Sequence, residues 1–153
     1  GKKYRADKVS HVFSEGISSL TLNLEKAYTE AAHVDKWQRT IVLDREYNWV
    51  EVTEQYKLDS LQIEKDRQNG QVFDNQIILM AFGKPVVQKT GRILLQGGNV
   101  RLEYDAQYLS ASVEKVQMTD GIMKTQWKDN VYRIILRLND NYPMAKVKYR
   151  FVK

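Results

Sequence analysis

The stretch LTLNLEKAYTEAAHVDKWQRTIVL, residues 20–43, contains the pattern from which the fold can be predicted. Leucine alternates with polar side chains over residues 20–25, and the Trp, Ile and Leu of residues 37–43 fall in one register. A period of two is typical of a β-strand with one buried face. The intervening AYTEAAH is rich in alanine and predicts one short helix near residues 26–33. We therefore expect two strands joined by a helical connection.

The same period of two continues along the chain, with turn signals between the segments. The further strand-like segments are KVSHVFS, WVEVTEQYKL, NQIILMAF, GRILLQ, NVRLEYD, YLSASVEKVQM, VYRIILRL and MAKVKYRFV. Gly-Gly between GRILLQ and NVRLEYD is a short-range hairpin signal, and NQIILMAF is typical of a strand buried on both faces. About ten short strands at regular spacing indicate an all-β fold, an antiparallel β-sandwich. DRQNGQ, residues 66–71, is interpreted as an exposed loop.

The length of the chain indicates one domain, residues 1–153. A chain of this size buries about 68–70% of its unfolded surface, so a metal or a disulfide is not needed for stability. The sequence contains no cysteine, which excludes disulfides, thiolate catalysis and sulfur-ligated zinc. There is no apolar run of about 18 residues, so we expect no membrane contact through a helix. A charged-then-apolar leader is also missing from this stretch of sequence.

Charge is unevenly distributed along the chain. Residues 1–75 hold 11 basic and 13 acidic side chains, net −2, whereas residues 76–153 hold 13 basic and 6 acidic side chains, net +7. Such an asymmetry indicates an anionic partner. The last two strand-like segments concentrate the positive charge, and the candidate glycan contacts are Arg133, Arg137, Lys146, Lys148 and Arg150.

If these two segments pair through the turn NDNYP, the five cations collect on one face of a sheet. Like charges that lie opposite each other destabilise a sheet, so something must offset them. Three offsets are open: a carboxylate of a neighbouring strand (Glu103, Asp105 or Glu114), an acidic partner domain, or an anionic polymer. A fourth interpretation needs no partner, because lysines at a sheet edge protect against aggregation.

The sequence carries no recognisable catalytic or metal-binding motif. His11 and His33 are isolated and lack HExxH or HxH spacing, so we expect neither a metal nor a cofactor. No GxSxG elbow presents a serine, and GKPVVQKTG lacks the order of a P-loop. Glu51 and Glu54 lie on opposite faces of one strand and are interpreted as solvated charges.

The aromatic residues allow two interpretations. Three tryptophans and nine tyrosines suffice for a sugar-stacking platform, but in a sandwich of this size such residues commonly belong to the core and rim. Trp127 follows the loop-like DGIMKTQ and is the best candidate for an exposed ring that contacts glycan. Nucleic-acid binding is disfavoured, because Tyr149 and Phe151 lie opposite the lysines of their strand.

Within residues 1–58, the leucine strand is followed by Ala27-Tyr28, by Trp37-x-Arg39 and by Glu54-x-Tyr56-x-Leu58. This order resembles the carboxy-terminal region of heparinase II/III-like polysaccharide lyases. In that pattern a leucine strand is followed by Ala-Tyr, by another alanine, by a Trp-x-Arg strand and by an acidic-x-aromatic-x-Leu strand. The matching positions here are Ala27, Tyr28, Ala31 or Ala32, Trp37, Arg39, Glu54, Tyr56 and Leu58. Thr29 departs from the pattern, which usually has proline there.

The resemblance implies a β-sandwich that follows a helical toroid in a longer bacterial protein, periplasmic or extracellular. These lyases cleave uronate-containing polysaccharide by β-elimination, and their catalytic residues lie upstream of the region matched here. We therefore expect no catalytic residue and no lyase activity in this chain, and Ala27, Tyr28, Trp37, Arg39 and Tyr56 to be structural. The implied partners are the toroid and upstream sandwich region, acidic polysaccharide and, for the parent protein, a second copy. An independent module that binds acidic glycans is the alternative, and a hydrolase is a third interpretation.

Overall fold

The computed structural model of the protein describes residues 3–70, 74–89, 91–139 and 142–153. Most of this part of the chain is β-strand, arranged in antiparallel sheets with only two short α-helices. The predicted fold class, an all-β antiparallel sandwich, is confirmed. Neither α-helix within these ranges has the length and apolar character that crossing a membrane requires.

The elements follow the predicted spacing closely. In chain order they are β1 (Asp7–Phe13), β2 (Ile17–Asn23), β3 (Val34–Asp44), β4 (Trp49–Leu58), α1 (Ser60–Gln68), β5 (Gln76–Ala81), β6 (Val86–Gln88), β7 (Arg92–Leu95), β8 (Val100–Tyr104), β9 (Leu109–Gln117), α2 (Gly121–Trp127), β10 (Asn130–Leu138) and β11 (Met144–Val152). The Gly-Gly signal is confirmed, since β7 and β8 pair across it and both glycines have positive φ.

The chain divides into two compact units, and the first consists of residues 1–73 and 141–149. Within it, β1 to β4 form an antiparallel meander, and β11 is the next strand after β4. In the β3–β4 ladder Trp37 lies opposite Tyr56, and Arg39 lies opposite Glu54. Cross-strand partners share a face of the sheet, so these four side chains project to the same side.

The same face carries the core of the first unit. Val52, Tyr56 and Leu58 alternate along β4 and are 7%, 2% and 3% exposed, and Val147 and Tyr149 of β11 are buried as well. Full burial of each such side chain contributes about 1.5–3 kcal/mol. The strict alternation of WVEVTEQYKL is therefore the sequence feature that positions this core.

The second unit consists of residues 74–140 and 150–153 and contains two groups of strands. One is the three-stranded sheet β5-β10-β9, and the other is the antiparallel ladder β6-β7-β8. Ile93 and Leu102 lie directly opposite each other in the ladder and are completely buried. Ile134 and Leu136 of β10 are also buried, so apolar residues of both groups form the core of this unit.

The expectation that NQIILMAF is buried on both faces was wrong. Along β5, Ile77 is buried, whereas Ile78 is 51% exposed and Met80 is 59% exposed. The strand that is buried on both faces is β10, where Ile134 and Ile135 both lie in the interior. In its sheet β10 is central, between β5 and β9, whereas β5 is an edge strand.

The single helix predicted near residues 26–33 is instead two 3-10 turns, Glu25–Ala27 and Glu30–Ala32. Tyr28 and Thr29 between them are extended. Nucleating an α-helix is unfavourable over so few residues, and the connection has to bring Tyr28 back onto β3. Thr29 has φ −75°, a value that proline also adopts, so its departure from the family pattern preserves the backbone conformation.

Two helices were missed by pattern reading. DRQNGQ was interpreted as a loop, yet its first three residues end α1; its last residue lies outside the described residues. The loop-like DGIMKTQ forms α2. Both helices begin after an aspartate whose side chain accepts hydrogen bonds from the first turn, Asp59 for α1 and Asp120 for α2. These N-caps were the available sequence signal.

Candidate functional site

The connection between β2 and β3 contributes Tyr28 to an aromatic stack within the first unit. The Tyr28 ring stacks on Trp37, with ring centroids 5.2 Å apart and an interplanar angle of 24°. Trp37 in turn packs against Tyr56, again at 5.2 Å. Such pairs add about 0.5–1.5 kcal/mol each beyond their buried area. The residues that matched the family pattern around the connection therefore meet in space.

Glu54 lies at the centre of this cluster and is completely buried. Trp37 Nε1 donates a hydrogen bond to Glu54 Oε2 at 2.7 Å, and Arg39 Nε donates to Oε1 at 2.6 Å. The Tyr149 hydroxyl donates to the same Oε1 at 3.5 Å. A buried carboxylate is tolerated only when it is paired and hydrogen-bonded, and these three donors meet that requirement.

Two tyrosines of the cluster are held in the protonated form. Burial, and secondarily the negative charge of Glu54, raises the pKa of Tyr149 to about 12. Burial also raises the pKa of Tyr28. Near neutral pH both phenols are therefore hydrogen-bond donors and do not act as bases. We continue to predict a structural role for this cluster.

The interpretation of Glu54 as a solvated charge was wrong. Glu51 and Glu54 do lie on opposite faces of β4, but Glu54 shares its face with the buried Val52 and Tyr56. Glu54 lies between Val52 and Tyr56 in the alternation of β4, and this position could have identified it as a core residue. An acidic residue at a core position of a strand requires a buried partner, and Arg39 directly opposite supplies the charge.

A surface cleft of about 740 Å³ opens beside the aromatic stack. It is formed by the first residues of the described chain, the β2–β3 connection and the start of α1. Its lining residues are Lys3, Tyr4, Glu25, Lys26, Tyr28, Thr29, Glu30, Ala31, His33, Val34, Asp35 and Asp59. Sequence reading identified the connection but not the cleft, because the cleft depends on where two distant segments fold against it.

Most charged groups around the cleft are engaged within the protein. Lys26 Nζ lies 2.6 Å from Asp7 Oδ2, and Asp35 Oδ2 lies 3.3 Å from Lys57 Nζ. Asp59 caps α1. Among the residues that the structure describes, Glu30 has no hydrogen bond or ion pair through its side chain, and it is exposed.

The two histidines lie on different elements, His11 in β1 and His33 directly before β3. His11 is exposed on β1, the edge strand of its sheet. His33 Nε2 lies 2.8 Å from Asp66 Oδ2, which ties the β2–β3 connection to α1. Within the described ranges no three His, Cys, Asp or Glu residues are grouped closely enough to hold a metal ion.

The last two strands do not pair, so the condition for collecting five cations on one sheet face is not met. β10 pairs with β5 and β9, whereas β11 is next to β4 in the other sheet. Periodicity indicated the faces correctly, since Val147 and Tyr149 are buried while Lys146 and Lys148 are exposed. Periodicity alone contains no information on which strand lies beside another.

Most of these cations have carboxylate partners. Arg133 Nη2 lies 2.6 Å from Glu114 Oε2, as expected for one of the proposed neighbouring carboxylates. The other pairs are Arg137 with Asp74 at 3.0 Å and Lys148 with Glu51 at 2.9 Å. Glu103 instead contacts Arg92 and Arg101. Arg150 is half-buried, and Lys146 has no ion pair among the described residues.

Trp127 is the last residue of α2 and is 43% exposed, as predicted. Trp37 and Trp49 are half-buried. Met123, four residues before Trp127 and so on the same face of the helix, is 47% exposed, and α2 therefore presents an apolar side chain beside the tryptophan. Trp127 lies on α2 and not on β11, so it is a candidate for glycan contact that is separate from the lysines of β11.

No protein-family model matches the chain, and no curated protein matches its sequence. Among solved structures, the chain is similar to a mutant of the heparan sulfate lyase HepC from Pedobacter heparinus. The likeness has a TM-score of 0.62 at 10% sequence identity, and it covers 97% of this chain. It covers 21% of the lyase chain, so this chain spans about a fifth of the lyase's length. At this identity the comparison shows a shared fold: a distant, heparinase-like β-sandwich.

Proposed function

We propose that this chain is the non-catalytic β-sandwich portion of a heparinase II/III-like polysaccharide lyase. The parent protein cleaves uronate-containing polysaccharide by β-elimination, and this portion braces the catalytic domains. The observation that carries the proposal is the structural likeness to the heparan sulfate lyase, which extends over 97% of this chain and a fifth of the lyase.

The chemistry of the first unit supports a bracing role. β-Elimination requires a base, a proton donor and a group that neutralises the carboxylate, all within one pocket. Two residues that match the family pattern, Trp37 and Arg39, instead donate hydrogen bonds to the buried Glu54. Tyr149 and Tyr28 have raised pKa values, which removes them as bases near neutral pH.

The test combines an activity assay with the sequence encoded upstream. The isolated chain, incubated with heparan sulfate, heparin or alginate, should produce no rise in ultraviolet absorbance from unsaturated uronate. The complete polypeptide should produce that rise, and its upstream region should encode a helical domain with histidine-bearing motifs. Turnover by the 153 residues alone would overturn the proposal. An upstream region without a helical domain would do the same.

Contact with the acidic glycan is the second part of this proposal, and the ion pairs limit where it occurs. Exposed pairs such as Arg133 with Glu114 are worth about 0–1 kcal/mol, so a polyanion can displace the carboxylate. The Lys148 side chain is 55% exposed, although its partner Glu51 is only 15% exposed. Lys146 requires no such exchange. We place the strongest contact at Lys146 and Lys148 of β11, with Trp127, Arg133 and Arg137 as further candidates.

A heparin column tests this contact. Reversing two charges, Lys146→Glu with Lys148→Glu, should lower the salt concentration of elution far more than the matched pair Lys36→Glu with Lys57→Glu, which lies on β3 and β4. Arg150 is left intact because it is half-buried. Equal losses for the two double variants would show that net charge alone governs retention. A chain that binds heparin specifically but whose upstream region encodes no lyase would instead be an independent carbohydrate-binding module.

The remaining partners and the location belong to the same proposal. This chain would contact the helical toroid and upstream sandwich region of its own polypeptide. The parent protein would form a homodimer and would act in the periplasm or outside the cell. Fractionation of the producing cells, together with size-exclusion chromatography of the complete polypeptide, tests these expectations.

A further inference from the structure

The cleft beside the β2–β3 connection has the dimensions of a ligand site. Its volume of about 740 Å³ lies within the range of roughly 300–1,000 Å³ that is typical of small-molecule sites. Its walls come from three segments of the first unit: residues 3–4, the connection 25–35 and Asp59. Because it is polar and open, it suits a hydrated ligand better than an apolar one.

Two tyrosine rings border this cleft. Tyr4 is 43% exposed and Tyr28 is 37% exposed. Tyr28 is supported from behind by Trp37, which in turn rests on the buried Tyr56. The exposed part of the Tyr28 ring is therefore held in place before any ligand arrives, which reduces the entropy lost on binding. A rigid aromatic surface of this kind can stack against the apolar face of a pyranose ring.

The charge of the cleft excludes one class of sugar. Four carboxylates line it (Glu25, Glu30, Asp35 and Asp59), against two lysines, Lys3 and Lys26. Lys26 is already paired with Asp7, which lies outside the lining, and His33 is paired with Asp66. The cleft therefore carries a surplus of negative charge, which repels carboxylate and sulfate groups and attracts cations.

Glu30 is the carboxylate best placed to meet a ligand. It is exposed, and no hydrogen bond or ion pair involves its side chain within the described ranges. It also lines the same cleft as Tyr28, so one ligand in the cleft can meet the ring and the carboxylate together. Asp35 and Asp59, in contrast, are already engaged by Lys57 and by the backbone of α1.

We propose that this cleft binds an amino sugar, with the pyranose ring against Tyr28 and the ammonium group at Glu30. The ligand is cationic, so this site is distinct from the basic strand β11 and its proposed acidic glycan. The inference stands on the geometry of the first unit alone and does not rest on the proposed lyase role.

Isothermal titration of the chain with three trisaccharides tests the proposal. Glucosamine trisaccharide carries ammonium groups, N-acetylglucosamine trisaccharide is neutral, and galacturonate trisaccharide is anionic. We expect the glucosamine trisaccharide to bind most tightly, the neutral one more weakly, and the galacturonate trisaccharide not to bind in the cleft. Glu30→Gln should weaken glucosamine binding about tenfold, as for loss of one charge-assisted contact, and leave the neutral sugar unchanged.

Matched variants separate binding from folding. Tyr28→Ala should abolish binding of both aminated and neutral sugars, and Tyr47→Ala, which removes a tyrosine that is 68% exposed on the β3–β4 turn, should not. Glu46→Gln is the corresponding control for Glu30→Gln. Because Tyr28 packs on Trp37, its variant can lose stability; Glu30 is exposed, so Glu30→Gln remains informative in that case.

Three results would overturn the proposal: no measurable binding of glucosamine trisaccharide, binding of galacturonate that is equal or tighter, or an unchanged affinity in Glu30→Gln. Lyase activity of the complete polypeptide would be unaffected by any of these outcomes. Failure of this inference is thus distinguishable from failure of the proposed function.

Discussion

Replacing Glu54 by glutamine should destabilise the first unit more than any other isosteric change in it. Trp37 Nε1 donates to one carboxylate oxygen and Arg39 Nε donates to the other. Glutamine offers one oxygen and one NH₂ group, so one of the two donors must face another donor. The charge of Arg39 also loses its partner.

The expected cost follows from burial. Removing one member of a buried ion pair typically costs about 3–5 kcal/mol. The Arg39 side chain is 33% exposed, so water recovers part of its solvation, while Glu54 is 0% exposed. We therefore expect a loss near the lower limit, about 3 kcal/mol, of which one unsatisfied buried donor accounts for roughly 1–3 kcal/mol.

Urea unfolding at neutral pH, followed by tryptophan fluorescence, measures this loss. With a slope of about 1–3 kcal/mol per M, the midpoint should fall by roughly 1–3 M. Asp35→Asn is the matched control in the first unit; it removes an exposed pair with Lys57 and should cost less than about 1 kcal/mol. Equal costs for the two variants, or a loss below about 1 kcal/mol for Glu54→Gln, would refute the hydrogen-bonded, buried Glu54 on which the argument rests.

Three further perturbations test other parts of the structure. Folding raises the pKa of Tyr149 from 10.0 to about 12, so its stabilisation is complete below pH 10 and is lost as the pH rises towards 12; Tyr149→Phe should flatten this alkaline loss in thermal unfolding. Asp59→Ala removes the acceptor that caps α1 and should cost about 1 kcal/mol, measured by chemical denaturation. Gly91→Ala places a Cβ against the carbonyl oxygen of Tyr104 and should cost more than Gly70→Ala, where φ is also positive but the space is open.

Each of these has an outcome that contradicts it. An alkaline transition that is unchanged in Tyr149→Phe would assign the pH dependence to other groups. Asp59→Asn retains a capping oxygen, so a loss equal to that of Asp59→Ala would argue against the cap. Equal destabilisation by Gly91→Ala and Gly70→Ala would indicate that backbone conformation, and not the contact with Tyr104, sets the cost.

The strands were predictable because their signal is local. WVEVTEQYKL alternates between two faces, and the structure buries Val52, Tyr56 and Leu58 on one of them. The Gly-Gly hairpin likewise depends only on adjacent residues. The helix α1 was missed because it is polar and its hydrophobic periodicity is weak, and α2 was missed because it spans only seven residues; the N-capping aspartates are the signal that marks both.

The candidate site was predictable only in part. Tyr28, Trp37, Arg39 and Tyr56 were singled out by resemblance, but the burial of Glu54 among them was not recognised. A glutamate is ordinarily a surface residue, and only the register of β3 with β4 shows that Arg39 lies opposite it. The cleft was missed entirely, since its walls are far apart in the sequence.

The sequence by itself determined the all-β class, the faces of most strands and the absence of cysteine chemistry, because each of these depends on composition or on a period of two. Only the tertiary structure decided which strands are neighbours: it put β10 and β11 in different sheets, so the two basic strands do not pair. It also brought the Tyr149 hydroxyl to within 3.5 Å of Glu54 Oε1, and it formed the cleft that Tyr28 lines. Pairing between distant strands depends on the packing of the whole chain, and no local pattern encodes it.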